Sequence, residues 1–301
     1  GASASGSRTR LAASARIANV PSVLCNVLLG IALAALWGKP LSPTEIAPLM
    51  LAGVFLYFGG NFLNDWADRD WDAKNRPERA LPRGLFPPGL YLIFAAAFMA
   101  AGLGFCAMVH LHCLFVGAAI TWMILLYTWI HKRSAWSVIP MGICRGLLPV
   151  LALAPSPGVP VVVALAPCAL FLDIALLSWR ARFEGNPDHT PLSGAVSRLV
   201  AQIPALQLLT LATQLPNGSF AYLGILPLVF RDHVCRTSQN RGAHTLISAL
   251  LVSLPLLDWV FLFPAAWQAS ANLPPLAVAC LCFPPVAFFA GQLMQRWVTP
   301  T

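Results

Sequence analysis

Ten apolar runs, most of them close to the length of a membrane-spanning helix, account for nearly all of this sequence. They lie at about 17–37, 46–66, 89–109, 112–130, 136–154, 160–179, 197–214, 218–230, 244–264 and 274–294. A helix needs about 20 apolar residues to cross the hydrocarbon core of a bilayer, so the run at 218–230 is the weakest candidate. The runs predict an all-α chain, a polytopic transmembrane bundle of nine to ten helices.

The composition excludes the other broad classes of protein. Of the 301 residues, 58% are apolar and only 10% are charged, whereas an average soluble domain has roughly 25% charged residues. So few charges could not cover the surface of a soluble protein, and so apolar a chain is not disordered. The net charge of +8 comes from scattered cations, without the basic stripe typical of nucleic-acid-binding proteins. The eight cysteines form no CxxC pair, which argues against a zinc site or a disulfide framework.

The lysine and arginine residues favour every second connector between the runs. They lie in the N-terminal tail, in the connector 67–88, and after the fourth, sixth and eighth runs, whereas the alternate connectors contain only Lys39. Connectors rich in positive charge stay on the cytoplasmic side, so the tail and the even-numbered connectors are predicted to be cytoplasmic. We expect residues 1–15 to form a mobile polar tail and residues 16–301 to form a single transmembrane domain.

Five of the eleven acidic residues fall within fourteen positions at the end of the second run: Asp65, Asp68, Asp70, Asp72 and Glu78. On a helix, Asp65, Asp68 and Asp72 share an arc of about 100° with Asn64, whereas Asp70 points elsewhere. Carboxylates stacked on one face repel each other, and a divalent cation relieves that repulsion. Oxygen ligands without His or Cys suit Mg²⁺, which completes its coordination shell with water and phosphate oxygens. The alternative interpretation is an ordinary solvated connector of mixed charge.

The acidic stretch belongs to a longer pattern. Asn64-Asp65-x-x-Asp68-x-x-x-Asp72 is followed by Arg76-Pro77 and by Pro82-x-Gly84. This pattern resembles the first aspartate-rich motif of the UbiA superfamily of intramembrane prenyltransferases, and it stands after the second helix, as in that family. The resemblance implies a helical bundle around a central cavity.

The resemblance extends to other parts of the chain and thins after about residue 200. Arg16-x-x-Asn19 with the later Gly30 is similar to the start of the family's first helix, and Tyr127 followed by Lys132-Arg133 is similar to the pattern after the fourth. The stretches Met141–Gly146 and Arg182-x-Glu184-Gly185 look most like the EboC-type branch.

One part of the chain departs from the family pattern. Typical members carry a second Asp-x-x-x-Asp motif after the sixth helix, which is thought to hold a second Mg²⁺, but residues 178–188 here read SWRARFEGNPD. Glu184 and Asp188 keep the spacing, although Pro187 interrupts a continuous helix. Arg180 and Arg182 add positive charge, so arginine is expected to do part of the diphosphate clamping if one metal is lost.

By resemblance, the chain is expected to transfer an isoprenyl group from an isoprenyl diphosphate to a small, often aromatic, acceptor within the membrane, with Mg²⁺ as cofactor. The expected catalytic residues are Asp65, Asp68, Asp72, Lys132 and Arg180. The expected substrate-binding residues are Arg16, Asn19, Arg76, Tyr127, Arg133, Arg145 and Arg182. The expected metal ligands are Asn64, Asp65, Asp68, Asp72, Glu184 and Asp188.

Three further charged residues lie inside apolar runs, where an ionisable group is by default a functional hypothesis. Arg145 is in the fifth run, and Asp173, in the sixth, is a possible partner for it. Asp258 is in the ninth run without an obvious charged partner.

Two alternative functions stay open at this point. A transporter or flippase of a lipid-linked or small metabolite would fit ten spans and charges at depth, but no half-sequence repeat is evident and the acids cluster at one edge rather than at the midplane. A family member that binds a diphosphate and reacts poorly would fit the altered second motif.

Overall fold

The computed structural model describes residues 15–38, 40–75, 77, 81–82, 84, 86–181, 194–239 and 243–297. A 3₁₀ turn at Ile17–Asn19 leads into α1 (Val20–Trp37). The helices that follow in this part of the chain are α2 (Pro43–Asn75), α3 (Pro88–Val109), α4 (Leu111–Ile130), α5 (Val138–Leu153), α6 (Leu165–Ala181), α7 (Gly194–Thr213), α8 (Ile225–Gln239), α9 (Ala243–Val252), α10 (Leu254–Ala269) and α11 (Pro274–Trp297).

The prediction of an all-α membrane bundle is confirmed. In the described ranges, eight helical segments are long and apolar enough to cross a membrane, and Val200–Thr213 is a shorter apolar helix. The run at 218–230, predicted to be the weakest, is divided between a 3₁₀ segment, Gly218–Gly224, and the start of α8. Of the predicted tail, only Ala15 lies within the described residues.

Two helices form the centre of the bundle. The most apolar stretches of the segments that contain α1 and α10 are 72% buried inside the bundle, whereas the corresponding stretches of α3 and α4 are 22% and 17% buried. α1 packs against α2, α5, α10 and α11. The outer helices keep large apolar side chains exposed, among them Trp122, Phe115 and Ile93. Such surfaces suit contact with lipid, because so many exposed apolar side chains would be unfavourable in water.

Glycines allow α5 to come close to two neighbouring helices. A Cβ atom at Gly30 of α1 would lie 2.1 Å from the carbonyl oxygen of Pro149, and one at Gly142 or Gly146 would lie 2.7 Å from a backbone oxygen of α6. Gly142 and Gly146 are four residues apart, the spacing by which small residues let membrane helices approach each other. This close packing fixes Arg145, which lies between them in sequence, beside α1.

The second helix continues well beyond its apolar run. Glu45 caps its first turn, because the backbone N–H and the hydroxyl of Ser42 both donate to the Glu45 carboxylate, at 2.8 and 2.7 Å, and Pro43 occupies the first position. At its other end, Lys74 lies in the last turn, where a cation is favourable. The helix of 33 residues therefore carries the predicted acidic motif on its last three turns.

Candidate functional site

The predicted arc of polar residues is present at the end of α2 and faces inward. Asn64, Asp65, Asp68 and Asp72 form what we call the acidic face, and their exposed fractions are 7%, 7%, 8% and 2%. The side chain of Asp70, predicted to point elsewhere, is 87% exposed. Burying three carboxylates is costly unless cations or hydrogen-bond donors compensate for the lost water. The chain supplies such cations from two other segments.

The first segment is the turn that precedes α1. A guanidinium nitrogen of Arg16 lies 3.5 Å from Oδ1 of Asp65, and the other terminal nitrogen lies 3.5 Å from Oδ1 of Asn61. Two side chains of α2 hold this turn, since Tyr57 donates to the carbonyl oxygen of Arg16 and Asn61 donates to that of Ala15. Arg16 has φ 50° and ψ 47°, a left-handed conformation that is strained for a residue with a side chain.

The same contacts determine the charge of Arg16. Burial lowers the pKa of its guanidinium, but the Asp65 carboxylate raises it and the net shift is upward. Arg16 is therefore a permanent cation beside the acidic face.

The second segment is the end of α4. The ring nitrogen Nε2 of His131 lies 2.8 Å from Oδ1 of Asp68, and Nζ of Lys132 lies 3.6 Å from Oδ2 of the same carboxylate. Nζ of Lys132 also lies 3.8 Å from the ring centroid of Trp71, a cation–π distance. The ring of His131 stacks on that of Tyr127, with centroids 5.1 Å apart. Tyr127 is thus tied to the acidic face through His131.

The acidic face has the chemistry of a partial cation site. The amide oxygen of Asn64 is buried without a hydrogen-bond donor in the described part of the chain, and such an atom can take a metal ligand's role. Over that same part, no three His, Cys, Asp or Glu side chains converge as a complete metal centre. One or two carboxylates with water and substrate phosphate oxygens are the usual shell of Mg²⁺ in a phosphate site. The residues therefore fit a magnesium ion that binds together with a phosphorylated substrate.

The other expected substrate-binding residues occupy different places. Asn19 is buried next to this turn, and its backbone N–H donates to the carbonyl oxygen of Arg16. Arg133 is exposed, with its guanidinium 5.8 Å from the ring centroid of Trp129. Arg180 lines a small hollow between α6 and α7 with Asp173, Leu177 and Ala201.

The expectation that Asp173 is the partner of Arg145 is wrong. The guanidinium of Arg145 donates to Oδ1 of Asn26 at 2.7 Å and to the hydroxyl of Ser22 at 2.9 Å. Asn26 donates in turn to Oδ2 of Asp258 at 2.7 Å. Asp258, which has no obvious partner in the sequence, is therefore linked to Arg145 by one amide group, and we call these four side chains the deep network.

Asp173 has a different arginine as its partner. The side chain of Arg231, on α8, is 1% exposed and lies 2.5 Å from Oδ1 of Asp173 on α6. Asp173 and Arg145 therefore have different hydrogen-bond partners, the first on α8 and the second on α1.

Four of the expected site residues lie outside the described residues: Arg76, Arg182, Glu184 and Asp188. The proposed second metal position and residues 182–188 of the altered second motif belong to this group.

Sequence reasoning missed three contributors to the site. His131 stands directly before Lys132 and four residues after Tyr127, so its position on the same helical face was a usable signal. Asn61 and Tyr57 precede Asp65 by one and two helical turns, on the same arc as the acidic face. Their function is to hold the backbone of the turn before α1, and nothing in the sequence of α2 alone indicates that contact.

Comparison with known proteins identifies a family. The family model described as UbiA prenyltransferase family matches residues 23–185, more than half of the chain. The digeranylgeranylglyceryl phosphate synthase of Methanopyrus kandleri is similar to this chain, at 36% identity over 89 residues, which are 30% of this chain and 32% of that protein. The match thus spans about a third of the length of that relative.

Solved structures share the fold. A structure of digeranylgeranylglyceryl phosphate synthase in membranes is similar with a TM-score of 0.60 at 14% identity, over 92% of this chain and 99% of that one. A UbiA homologue from Archaeoglobus fulgidus, bound to GPP and Mg²⁺, is similar with a TM-score of 0.50 at 13% identity, over 94% of this chain and 98% of that one. At these identities the similarity establishes the fold and leaves the choice of substrate open.

Proposed function

The chain belongs to the UbiA prenyltransferase family, and from this premise we propose that it transfers an isoprenyl group from an isoprenyl diphosphate to a small acceptor within the membrane, with Mg²⁺ as cofactor. The observation that carries the proposal is the acidic face at the end of α2. In an integral membrane protein with so few charges, three buried carboxylates facing Arg16 and Lys132 need a functional explanation.

The arrangement of charges suits a diphosphate better than a simple cation or a simple anion. Carboxylates at Asp65, Asp68 and Asp72 hold the metal in this proposal, with Asn64 as a neutral ligand or orienting group. The cations of Arg16 and Lys132 lie on either side and bind phosphate oxygens. A metal-bound diphosphate therefore meets both signs of charge at the same place.

In such a site, Mg²⁺ supplies charge neutralisation for the departing diphosphate. The side chains of this protein bind and orient the donor. Arg16 and Lys132 are already held by α2 residues before a substrate binds, so little reorganisation is required. The apolar donor chain lies among the apolar helices, which explains why the reaction takes place in a membrane.

Support for the donor also comes from the homologue of Archaeoglobus fulgidus, which has the same fold and was solved with GPP and Mg²⁺. The roles of Asn19, Tyr127, Arg133, Arg145 and Arg180 in substrate binding stay predictions.

For the acceptor we propose two candidate classes. The relative from Methanopyrus kandleri is a synthase of digeranylgeranylglyceryl phosphate, so a prenylated glycerol phosphate is one acceptor to test, beside an aromatic acceptor. A panel with both classes, assayed with geranyl and geranylgeranyl diphosphate, compares them directly.

The test of the proposal is pyrophosphate release. The purified full-length protein in detergent is expected to release pyrophosphate from an allylic diphosphate when Mg²⁺ and an acceptor are present, and to lose this activity when EDTA removes the metal. The double change Asp65→Asn and Asp68→Asn should abolish release. The matched control is Asp70→Asn, the same change at an exposed position of the same helix.

Three results would contradict parts of the proposal. If the double variant keeps its activity, the acidic face does not hold the metal. Binding of the donor without release, across all acceptors, would favour a catalytically weak family member. Movement of a lipid-linked substrate across vesicles without pyrophosphate release would favour a transporter.

We also propose that the acidic face opens on the cytoplasmic side, because the connectors on its side of the bundle are rich in Lys and Arg. A protease site inserted into the connector 76–87 should be cleaved in inside-out vesicles and protected in right-side-out vesicles. The reverse pattern would contradict this orientation.

A further inference from the structure

His131 has two features of a metal-ligating histidine. Its side chain is 10% exposed and lies at the end of α4 against the acidic face. Nδ1 lies 3.1 Å from the carbonyl oxygen of Thr128, and that oxygen can only accept a hydrogen bond, so Nδ1 donates. A histidine that binds a metal through one nitrogen usually donates the other N–H to a backbone carbonyl or a carboxylate, which fixes the ring and the tautomer.

The second feature is the position of the other ring nitrogen. Nε2 lies 2.8 Å from Oδ1 of Asp68, close enough for a hydrogen bond. The same distance also suits two ligands of one ion: bonds of about 2.0–2.1 Å at right angles place neighbouring ligand atoms about 2.8–3.0 Å apart. Nε2 and Oδ1 can therefore occupy adjacent positions of an octahedral shell without moving relative to each other.

The neighbouring groups are compatible with this role. Lys132 contacts the other oxygen of Asp68, at 3.6 Å, a distance typical of a weak pair. The buried amide oxygen of Asn64, on the same arc of α2, is a further potential ligand. Two or three protein ligands with diphosphate oxygens and water would complete six-fold coordination.

We propose that His131 supplies a nitrogen ligand beside Asp68, so that the metal site binds a divalent first-row transition metal more tightly than Mg²⁺. Imidazole suits iron, cobalt, nickel and zinc, whereas a shell of oxygen atoms alone suits Mg²⁺. The inference rests on the proposed function, because it assigns one more ligand to the metal of that same site.

The first experiment is spectroscopic and requires no turnover. The purified full-length protein is loaded with Mn²⁺ and inorganic pyrophosphate, and electron spin echo envelope modulation is recorded. A nitrogen modulation is expected, and it should change when the protein is produced with ¹⁵N-labelled histidine, which distinguishes His131 from Lys132 as the source of the nitrogen.

Two glutamine variants complete the design. His131→Gln should lose the histidine modulation, and the ratio of Co²⁺ to Mg²⁺ affinity, measured by calorimetry with pyrophosphate present, should fall by about tenfold or more. The matched control, His112→Gln, changes an exposed histidine at the opposite end of the same helix and should leave both measurements unchanged.

The outcomes separate this inference from the proposed function. If Mn²⁺ binds and Asp65→Asn with Asp68→Asn abolishes its binding, but no histidine modulation appears, the nitrogen ligand is refuted and the metal site stands. His131 then only hydrogen-bonds Asp68. If Mn²⁺ and Mg²⁺ both fail to bind with pyrophosphate, the metal site of the proposed function fails, and the inference fails with it.

Discussion

The acidic face and the deep network are both polar clusters in an apolar bundle, but they are bonded differently. In the deep network the donor–acceptor distances are 2.7, 2.7 and 2.9 Å, and Asn26 and Asp258 are 0% exposed. In the acidic face the distances from Arg16 to Asp65 and from Lys132 to Asp68 are 3.5 and 3.6 Å, and the side chain of Lys132 is 43% exposed. The contacts of the first cluster are short, although Oδ1 of Asp258 has no hydrogen-bond partner in the described residues, whereas the ion pairs of the second cluster are long.

This difference indicates different roles. In the deep network, Asn26 places its amide oxygen towards Arg145 and its amide nitrogen towards Asp258, so an uncharged side chain links the two charges and ties together α1, α5 and α10. Such a relay is stable only when every member is present. Long ion pairs contribute little stability and exchange partners readily. The deep network therefore holds the helices together, and the acidic face is available for a ligand.

The strongest test of this comparison is Arg145→Met. The change keeps much of the side-chain length but leaves the carboxylate of Asp258 without its linked cation, at 0% exposure. We expect the protein to lose about 3–5 kcal/mol of stability, the usual cost of breaking a buried charge pair. Reversible unfolding in mixed micelles measures this loss of stability, and the melting temperature in detergent provides a second measurement.

The control for this variant is Arg133→Met, the same change at an exposed arginine, which should alter stability by less than about 0.5 kcal/mol. A second variant, Asp258→Asn added to Arg145→Met, removes the other charge and should recover part of the loss. If the double variant is as unstable as the sum of the single ones, Arg145 and Asp258 are not coupled through Asn26.

The next largest effect is expected for Asp68→Asn, which should lower enzymatic activity rather than stability. The variant keeps the size of the side chain but loses a carboxylate that we assign to the metal, so pyrophosphate release should fall by roughly 100-fold or more. Stability should change by less than about 1 kcal/mol, because the asparagine amide can still hydrogen-bond His131 and the pair with Lys132 is long. A large loss of stability with little loss of activity would reverse the roles that we give to the two clusters.

A smaller effect separates strain from charge at Arg16. Its left-handed backbone is unfavourable for any residue with a Cβ atom and costs nothing comparable in glycine. Arg16→Gly and Arg16→Ala both remove the guanidinium next to Asp65, so both should lose activity to the same extent. The glycine variant should be more stable than the alanine variant by about 1 kcal/mol, measured by thermal unfolding. Equal stabilities would show that the turn before α1 relaxes when the guanidinium is absent.

The sequence was sufficient for the features that depend on a single helix. The acidic face follows from the 100° rotation per residue and the charges of α2, and the family pattern indicates Lys132. Contacts between distant segments were harder to predict. The partners of Asp173 and Arg145 depend on how α1, α6 and α8 are rotated around their axes, and apolar runs without a strong periodic pattern do not determine that rotation. The sequence suggests pairing Asp173 with Arg145 only because both are unexplained charges, whereas each has a partner on another helix.

The smallest expected effect is that of Asp70→Asn, and it tests whether position on the helix decides function. Asp70 lies within the same acidic stretch as Asp68 and Asp72, but its side chain is 87% exposed and its only described ion pair, with Arg69, is 3.7 Å long. Removing its charge should change stability by less than about 0.5 kcal/mol and pyrophosphate release by less than about twofold. A loss comparable to that of Asp68→Asn would mean that the total negative charge of the stretch attracts the metal, and that burial on the inner arc of α2 is not what selects the ligands.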